Sequence, residues 1–318
     1  MVDAPALRVV FFGTPSFAVP TLKALLASRH AVVAAVTQPD RPRGRGQKLS
    51  ASPVKEAALA AALPVLQPES VKTAQFAAEL AALEADIAVV AAYGQILTER
   101  LLSIPPLGMI NVHASLLPRY RGAAPVHRAI IDGEATTGVT IMRMVKALDA
   151  GPMIAVESVS IGEDETSVEL EDRLSRVGAA LLARSLDGIA ANRAHEIPQD
   201  DMAATYAPRL TKGDGRIDWS RPAVHIHNVI RGLHPWPHAV TFAGTDRLIL
   251  HRSRPAAGSS TKTPGTVLAA SGDQLAVATG EGTLDLVEIQ VEGKRPMQTR
   301  EFLAGRPIAV GTLLQPQA

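Results

Sequence analysis

Along the first 190 residues, short runs of apolar and β-branched residues alternate with Ala/Leu-rich stretches whose apolar positions recur at helical spacing. That alternation predicts an α/β domain of parallel strands joined by helices. Residues 8–12 (RVVFF), 31–37 (AVVAAVT), 86–92 (DIAVVAA), 108–113 (GMINVH) and 138–144 (GVTIMRM) read as strands. Residues 18–28, 123–131 and 166–189 read as helices, the last of them long and amphipathic. Sheets of this kind bind ligands beyond the carboxyl ends of their strands, so the residues that follow each strand are the first candidates for chemistry.

Between 190 and 215 the pattern breaks into a polar, poorly periodic stretch carrying Pro198 and Pro208, the composition of a connection between domains. Beyond it one helix-like segment, 223–232, precedes short apolar runs at 248–251, 265–268, 274–278 and 284–289, separated by Gly/Ser/Thr turns. This favours a small β-barrel. The expected organisation is therefore a domain over 1–192, a connection over 193–211 and a barrel over 212–318.

Composition narrows the chemistry. With 318 residues, 47% hydrophobic and 20% charged, the chain can bury two cores, and no run of 18 apolar residues suggests a membrane span. The N-terminal text MVDAPALRVVFFG has neither the basic region nor the long apolar stretch of a signal peptide, so a cytoplasmic protein is expected, acting as a monomer. The absence of cysteine excludes disulfides, thiolate nucleophiles and thiolate-bound zinc. The net charge of +1 is unevenly divided: residues 212–318 carry 12 Lys/Arg against 9 Asp/Glu, the remainder 20 against 22. So small a surplus fits an ordinary solvated surface as well as a nucleic-acid partner.

Several motifs can be set aside. Gly13-Thr14-Pro15-Ser16 is a glycine turn after the first strand, but Pro15 stands where a dinucleotide fingerprint needs its second glycine. Gly44-Arg45-Gly46-Gln47-Lys48 lacks the spacing of a phosphate-binding loop. His225 and His227, two apart on a helix, point away from one another. His234 and His238 flank Pro235-Trp236-Pro237, which excludes a helical metal-binding pair, and no metal site is expected.

The segment Asn111-Val112-His113-Ala114-Ser115-Leu116-Leu117-Pro118-Arg119-Tyr120-Arg121-Gly122 stands apart. Asn111 and His113, two apart at the end of a strand, share a face and project together. An amide can donate to a developing oxyanion and an imidazole can take an amine proton, which are the two needs of acyl transfer to an amine. Spacing alone fits a strand end with two satisfied polar groups equally well. Asp149, in Leu148-Asp149-Ala150-Gly151, follows the next strand through a short turn and can approach His113. An ordinary turn aspartate before glycine fits that position too.

Together these residues resemble the folate-dependent formyltransferase family, whose hallmark is Asn-x-His followed by S-L-L-P-x-x-R-G and, further on, an Asp-x-G turn. Here N-V-H stands at 111–113, S-L-L-P at 115–118, R-G at 121–122 and D-A-G at 149–151. The resemblance runs end to end, through FFGTPSFA, TQPDRPRGRGQKLSASPVK, ATYAPRLTK and IRGLHPWPHA, and is strongest to members that act on methionyl-tRNA. It implies a Rossmann-like catalytic domain followed by an OB-like, tRNA-binding barrel. It also implies 10-formyltetrahydrofolate as formyl donor and initiator methionyl-tRNA as acceptor. Asn111 would be the oxyanion donor, His113 the base or proton mediator and Asp149 its partner. Ser115, Leu116, Leu117 and Pro118 would form part of the folate site. The 38–55 segment would engage the acceptor end of the tRNA through Arg41, Arg43, Arg45 and Lys48, with Gly44 and Gly46 leaving it free to move until bound. The alternatives are a relative acting on a small amine such as glycinamide ribonucleotide or an amino sugar nucleotide, a folate hydrolase module, and a non-catalytic RNA-binding module. The basic segment and second domain argue against the first, a free-formate assay separates the second, and the joint presence of Asn111, His113 and Asp149 argues against the third.

Overall fold

Strand Arg8–Gly13 (β1) is buried almost throughout and lies between parallel neighbours on both sides, which is why its sequence is an unbroken apolar run with no alternation. The structure, a computed structural model, describes residues 5–43, 48–256, 258 and 260–316, with the side chains of Arg43 and Lys48 outside the description. After β1 come α1 (Val19–Leu26), β2 (Ala31–Val36), β3 (Arg41–Arg43), β4 (Lys48–Ser50), α2 (Pro53–Ala60), β5 (Val65–Leu66) and α3 (Ala74–Ala81). They are followed by β6 (Ile87–Ala91), α4 (Glu99–Leu102), β7 (Met109–His113), β8 (Arg121–Gly122), α5 (Pro125–Ile131), β9 (Thr136–Arg143), β10 (Met153–Ser160) and α6 (Ser167–Ala190). The remainder comprises β11 (Tyr206–Ala207), α7 (Ala223–Gly232), β12 (Ala239–Ala243), β13 (Asp246–Ala256), β14 (Val267–Ser271), β15 (Gln274–Ala278), β16 (Thr283–Val291), β17 (Met297–Gln298), α8 (Thr299–Gly305) and β18 (Leu314–Gln315).

The chain forms two compact units that are not contiguous in sequence. The first takes residues 1–122, 136–160 and 171–206; the second takes 123–135, 161–170 and 207–318.

In the first unit the sheet order is β10-β9-β7-β6-β1-β2-β5. The pairs from β7 to β5 are parallel, as expected, whereas β9 runs antiparallel to β7, and β10 antiparallel to β9. The sheet is thus mostly parallel, with an antiparallel margin. Outermost β10 alternates in burial, as a strand with one wet face does. Helices α2, α3 and α4 each begin on a side-chain cap: Ser52, Thr73 and Thr98 accept from the N–H of Lys55, Phe76 and Leu101. On one face of the sheet Phe12 meets Phe76 and Tyr93 edge-on, with ring centroids 6.4 and 5.3 Å apart. Burial pushes the Tyr93 phenol up to about 12.

In the second unit the antiparallel order β14-β15-β16-β13-β12-β18, with β17 on β16, makes a curled, OB-like half-barrel. Its core joins Trp219, Ile226 and Ile230 to Leu248, Leu250, Leu286 and Phe302. The Trp219 indole N–H donates to Thr241 Oγ1 at 3.0 Å, so its one polar atom is satisfied. Helix α5 packs on α7 closely enough that a Cβ at Gly232 would lie 2.8 Å from Ile131 Cγ1. The start of α6 is a capping box: Thr166 N–H and Oγ1–H both donate to Glu169 Oε2 at 2.7 Å, and Arg252 donates to Glu169 Oε1 at 2.8 Å. Chiefly because of the Thr166 backbone bond, and then Arg252, the Glu169 carboxyl is held down at about 2.

Candidate active site

Strand β7 pairs with β6 on one side and β9 on the other, which sets Asn111 beside Val90 and Met142, and His113 beside Thr140. Both side chains stand at the carboxyl end of a central strand, where an open α/β sheet presents ligands to its loops. Chain then turns back over this edge, and each polar group of the turn has an identifiable partner. Ser115 Oγ donates to Arg119 O at 2.7 Å, while Thr140 Oγ1 donates to Ser115 O at 2.7 Å and accepts from Leu117 N at 3.2 Å. Fully buried, Ser115 holds the turn from inside; Leu116 and Pro118, its neighbours, are partly exposed.

Tyr120 sits in the left-handed region at φ 60, with its N–H donating to Thr205 Oγ1 at 2.9 Å. Its carbonyl lies 3.0 Å from His113 Nε2. A carbonyl only accepts, so Nε2 carries the proton, and in the neutral ring the lone pair is on Nδ1. Nδ1 lies 3.8 Å from Asp149 Oδ2. The open lone pair of the ring is therefore the one that faces a carboxylate.

Asp149 reaches this place through a strained turn. Its φ is 46, and Oδ2 also accepts from Gly122 N at 2.9 Å, tying the R-G of the first motif to the D-A-G of the second. A Cβ at Gly151 would lie 1.9 Å from Arg143 O, so only glycine lets the turn pass so close to the end of β9. Gln199 locks it: its Nε2 donates to Asp149 O at 2.8 Å and Gly151 O at 2.7 Å. The Gln199 Oε1 in turn accepts from Arg121 Nε at 3.0 Å and Nη2 at 2.9 Å, and buried Arg121 pairs with Asp201 at 2.7 Å. No hydrogen bond among the described residues engages the Asn111 amide, which is left free to donate.

The geometry thus brings His113 and Asp149 together and leaves Asn111 available on the same strand. Sequence reasoning missed Tyr120 and Gln199, because one acts through its carbonyl and the other comes from a stretch without periodicity. Of the cationic residues, Arg41 and Arg43 lie on β3 and Lys48 on β4, an antiparallel hairpin in which Arg41 pairs with Ser50 and Arg43 with Lys48. Arg41 is exposed, while Asp40 is engaged by Lys55 at 2.7 Å and Gln67 at 2.8 Å. Arg45, with Gly44 and Gly46, lies outside the described residues. Both ring nitrogens of His227 are engaged within the fold: Nε2 meets Glu163 O at 3.0 Å and Nδ1 meets Ser253 Oγ at 3.1 Å. No helix among the described residues is long and apolar enough to cross a membrane.

A family model described as formyl transferase matches residues 7–186, and one described as formyl transferase, C-terminal domain, matches residues 209–307. The methionyl-tRNA formyltransferase of Trichlorobacter lovleyi is 51% identical over 309 residues, covering 97% of each chain. That of Caldanaerobacter subterraneus subsp. tengcongensis is 49% identical, covering 97% of this chain and 100% of its own. Among solved structures, HypX from Aquifex aeolicus in complex with tetrahydrofolic acid superposes with a TM-score of 0.65 at 15% identity, over 94% of this chain and 47% of that longer one. WlaRD, a sugar 3N-formyl transferase solved in the presence of dTDP and 5-N-formyl-THF, gives 0.66 at 18% identity over 92% of this chain and 100% of its own. These two likenesses carry the fold, and the relatives half identical along nearly their whole length carry more: the chain belongs to the methionyl-tRNA formyltransferase family of formyl transferases.

Proposed function

We propose that this protein transfers the formyl group of 10-formyltetrahydrofolate to the amino group of initiator methionyl-tRNA, in the cytoplasm, at the edge of the sheet occupied by Asn111, His113 and Asp149. The observation that carries the mechanism is the fixed tautomer of His113: Nε2 is committed to Tyr120 O, so the acceptor nitrogen is Nδ1, beside Asp149. The neutral amine attacks the formyl carbon, the carbonyl electron pair moves to oxygen, and the Asn111 amide donates to that oxyanion. The amine proton passes to His113 Nδ1, where Asp149 stabilises the charge. Collapse breaks the bond from the formyl carbon to N10, N10 takes the proton back from the imidazolium, and tetrahydrofolate leaves. No covalent enzyme intermediate is needed.

Partly exposed Leu116 and Pro118, with Ser115 and Leu117 shaping the turn beneath them, form the floor proposed for the folate. One structural neighbour was solved in complex with tetrahydrofolic acid and another in the presence of 5-N-formyl-THF, which supports a reduced folate as donor class. We assign tRNA binding to Arg41, Arg43, Arg45 and Lys48 and to the barrel of 212–318, and catalysis to 1–192, with 193–211 connecting them. Matches over 7–186 and 209–307 support that division. The test is direct: protein, 10-formyltetrahydrofolate and charged initiator tRNA should yield N-formylmethionine on deacylation. Free formate in its place, or formylation of a small amine alone, would overturn the assignment.

A further inference from the structure

His234 and His238 cannot form a metal-binding pair along a helix, yet the fold brings them together with a third histidine from a distant strand. His238 N–H donates to Leu233 O at 3.0 Å, closing the Pro-Trp-Pro segment into a tight turn just past α7. The His234 and His238 rings then lie 5.5 Å apart, centroid to centroid. His251 completes the triangle at 5.7 Å from His234 and 4.8 Å from His238. It comes from an irregular point of β13: the register with β16 shifts between Leu250 and Arg252, and His251 is left without an opposite residue. Such a bulge re-aims a side chain, and Leu250 and His251 are accordingly buried in succession where a regular strand would alternate.

The protonation pattern is set by residues outside the triangle. Gln290 Nε2 donates to Lys294 O at 2.7 Å, which orients the amide so that its Oε1 faces His251 Nε2 at 2.8 Å. His251 must therefore carry its proton on Nε2, leaving the Nδ1 lone pair bare. The Nδ1 atoms of His234 and His238 are buried and have no hydrogen-bond partner. Buried polar atoms without partners are rare, and here two of them belong to the same cluster. One ring nitrogen from each of the three residues can be chosen so that all lie within 4.8 Å of one another.

We infer that His234, His238 and His251 form a binding site for a divalent late first-row transition ion, with Zn²⁺ the reference occupant. Three imidazoles with no carboxylate among them suit zinc, cobalt, nickel or copper and do not suit magnesium or calcium, which take oxygen ligands. Zn–N bonds of about 2.0–2.1 Å in tetrahedral geometry put the donor nitrogens about 3.3 Å apart, so modest ring rotations close the triangle. Gln290 is a positioning residue that fixes the His251 tautomer, the way outer partners orient metal-binding histidines. The ion would clamp the end of α7 and the start of β12 to β13, and leave one coordination position open for water.

The full-length protein, stripped with a chelator and dialysed, is titrated with Zn²⁺ by calorimetry and with Co²⁺ by visible absorption. The site predicts one ion per chain, a tetrahedral Co²⁺ spectrum, and loss of both signals in His238→Ala and His251→Ala but not in His195→Ala, whose histidine is exposed and outside the cluster. Gln290→Leu keeps all three imidazoles and should weaken binding by about 10- to 100-fold, with Gln290→Glu restoring it. The Gln290 pair decides the matter if a histidine variant fails to fold. Absence of saturable binding, or binding unchanged in His238→Ala and His251→Ala, or in Gln290→Leu, would overturn the site and leave the triangle a packing cluster of imidazoles.

Discussion

Replacing Asp149 by Asn isolates the charge that the proposed proton transfer to His113 relies on. Asn tolerates the left-handed backbone at φ 46, and its side-chain oxygen can still accept from Gly122 N, so the turn survives. At the 3.8 Å between Oδ2 and His113 Nδ1, a carboxylate and an imidazolium attract by about 4 kcal/mol at an effective dielectric constant of 20, against about 1 kcal/mol in water. Their side chains are 15% and 6% exposed, which places the pair towards the stronger value. One decade of rate corresponds to about 1.4 kcal/mol, so kcat/KM should fall by about 100-fold or more. An amide N–H turned to Nδ1 would add to the loss by occupying the lone pair that accepts the proton. The assay is initial-rate formyl transfer to charged initiator tRNA, with circular dichroism and thermal melting as controls. A folded variant with kcat/KM within about threefold of the parent, a loss under about 0.7 kcal/mol, would refute the proton-acceptor geometry.

Asn111→Ala should lower kcat by about 100-fold or more with little change in melting temperature, the scale of losing one oxyanion donor; a near-normal rate would remove Asn111 from the mechanism. Arg45→Ala with Lys48→Ala should reduce the slope of log K against log salt for tRNA by roughly 0.7–0.9 per lost phosphate contact while folate affinity holds; an unchanged slope would return the segment to plain solvated surface. Glu169, at about 2 from an ordinary 4.5, has a depressed folded value. Its contribution is therefore full above pH 4.5 and is lost as pH falls towards 2. Glu169→Gln should cost roughly 1 kcal/mol in denaturant unfolding at neutral pH, discounted for a half-exposed side chain, and the difference from the parent should shrink on acidification. A difference constant from neutrality down to pH 3 would show that charge is not what the cap supplies.

Legibility in the sequence followed local contrast. Strands β1, β2, β6 and β7 and helices α6 and α7 announce themselves because an apolar run or a helical stripe stands between polar neighbours. Helices α2 and α3 do not: in PVKEAALA and AQFAAELA the alanines blur the two faces, and both helices depend on capping hydroxyls and on packing. Strand β10 carries no clear signal either, since its inner face is only partly buried, and the antiparallel margin it forms with β9 depends on sheet order, which no local pattern encodes. At the site, Asn111, His113 and Asp149 were legible as a motif, and their meaning came from family resemblance rather than spacing. Gln199 is not legible, because its partners lie 50 and 48 residues away and its own neighbourhood has no periodic pattern.

The two histidine arrangements show where reading by spacing reaches its physical limit. In each, what a ring can do depends on which nitrogen is already committed, and that commitment is made by an acceptor that no motif records. Tyr120 O engages Nε2 of His113 because a left-handed residue, anchored through Thr205, turns its carbonyl inward. Gln290 engages Nε2 of His251 because Lys294 O has already oriented its amide. Both partners leave Nδ1 as the chemically open atom, but the surroundings differ in sign. Nδ1 of His113 faces a carboxylate, the arrangement that the proposed proton transfer uses. The ring of His251 faces two further imidazoles and no carboxylate among them, a donor set that a shared transition ion suits.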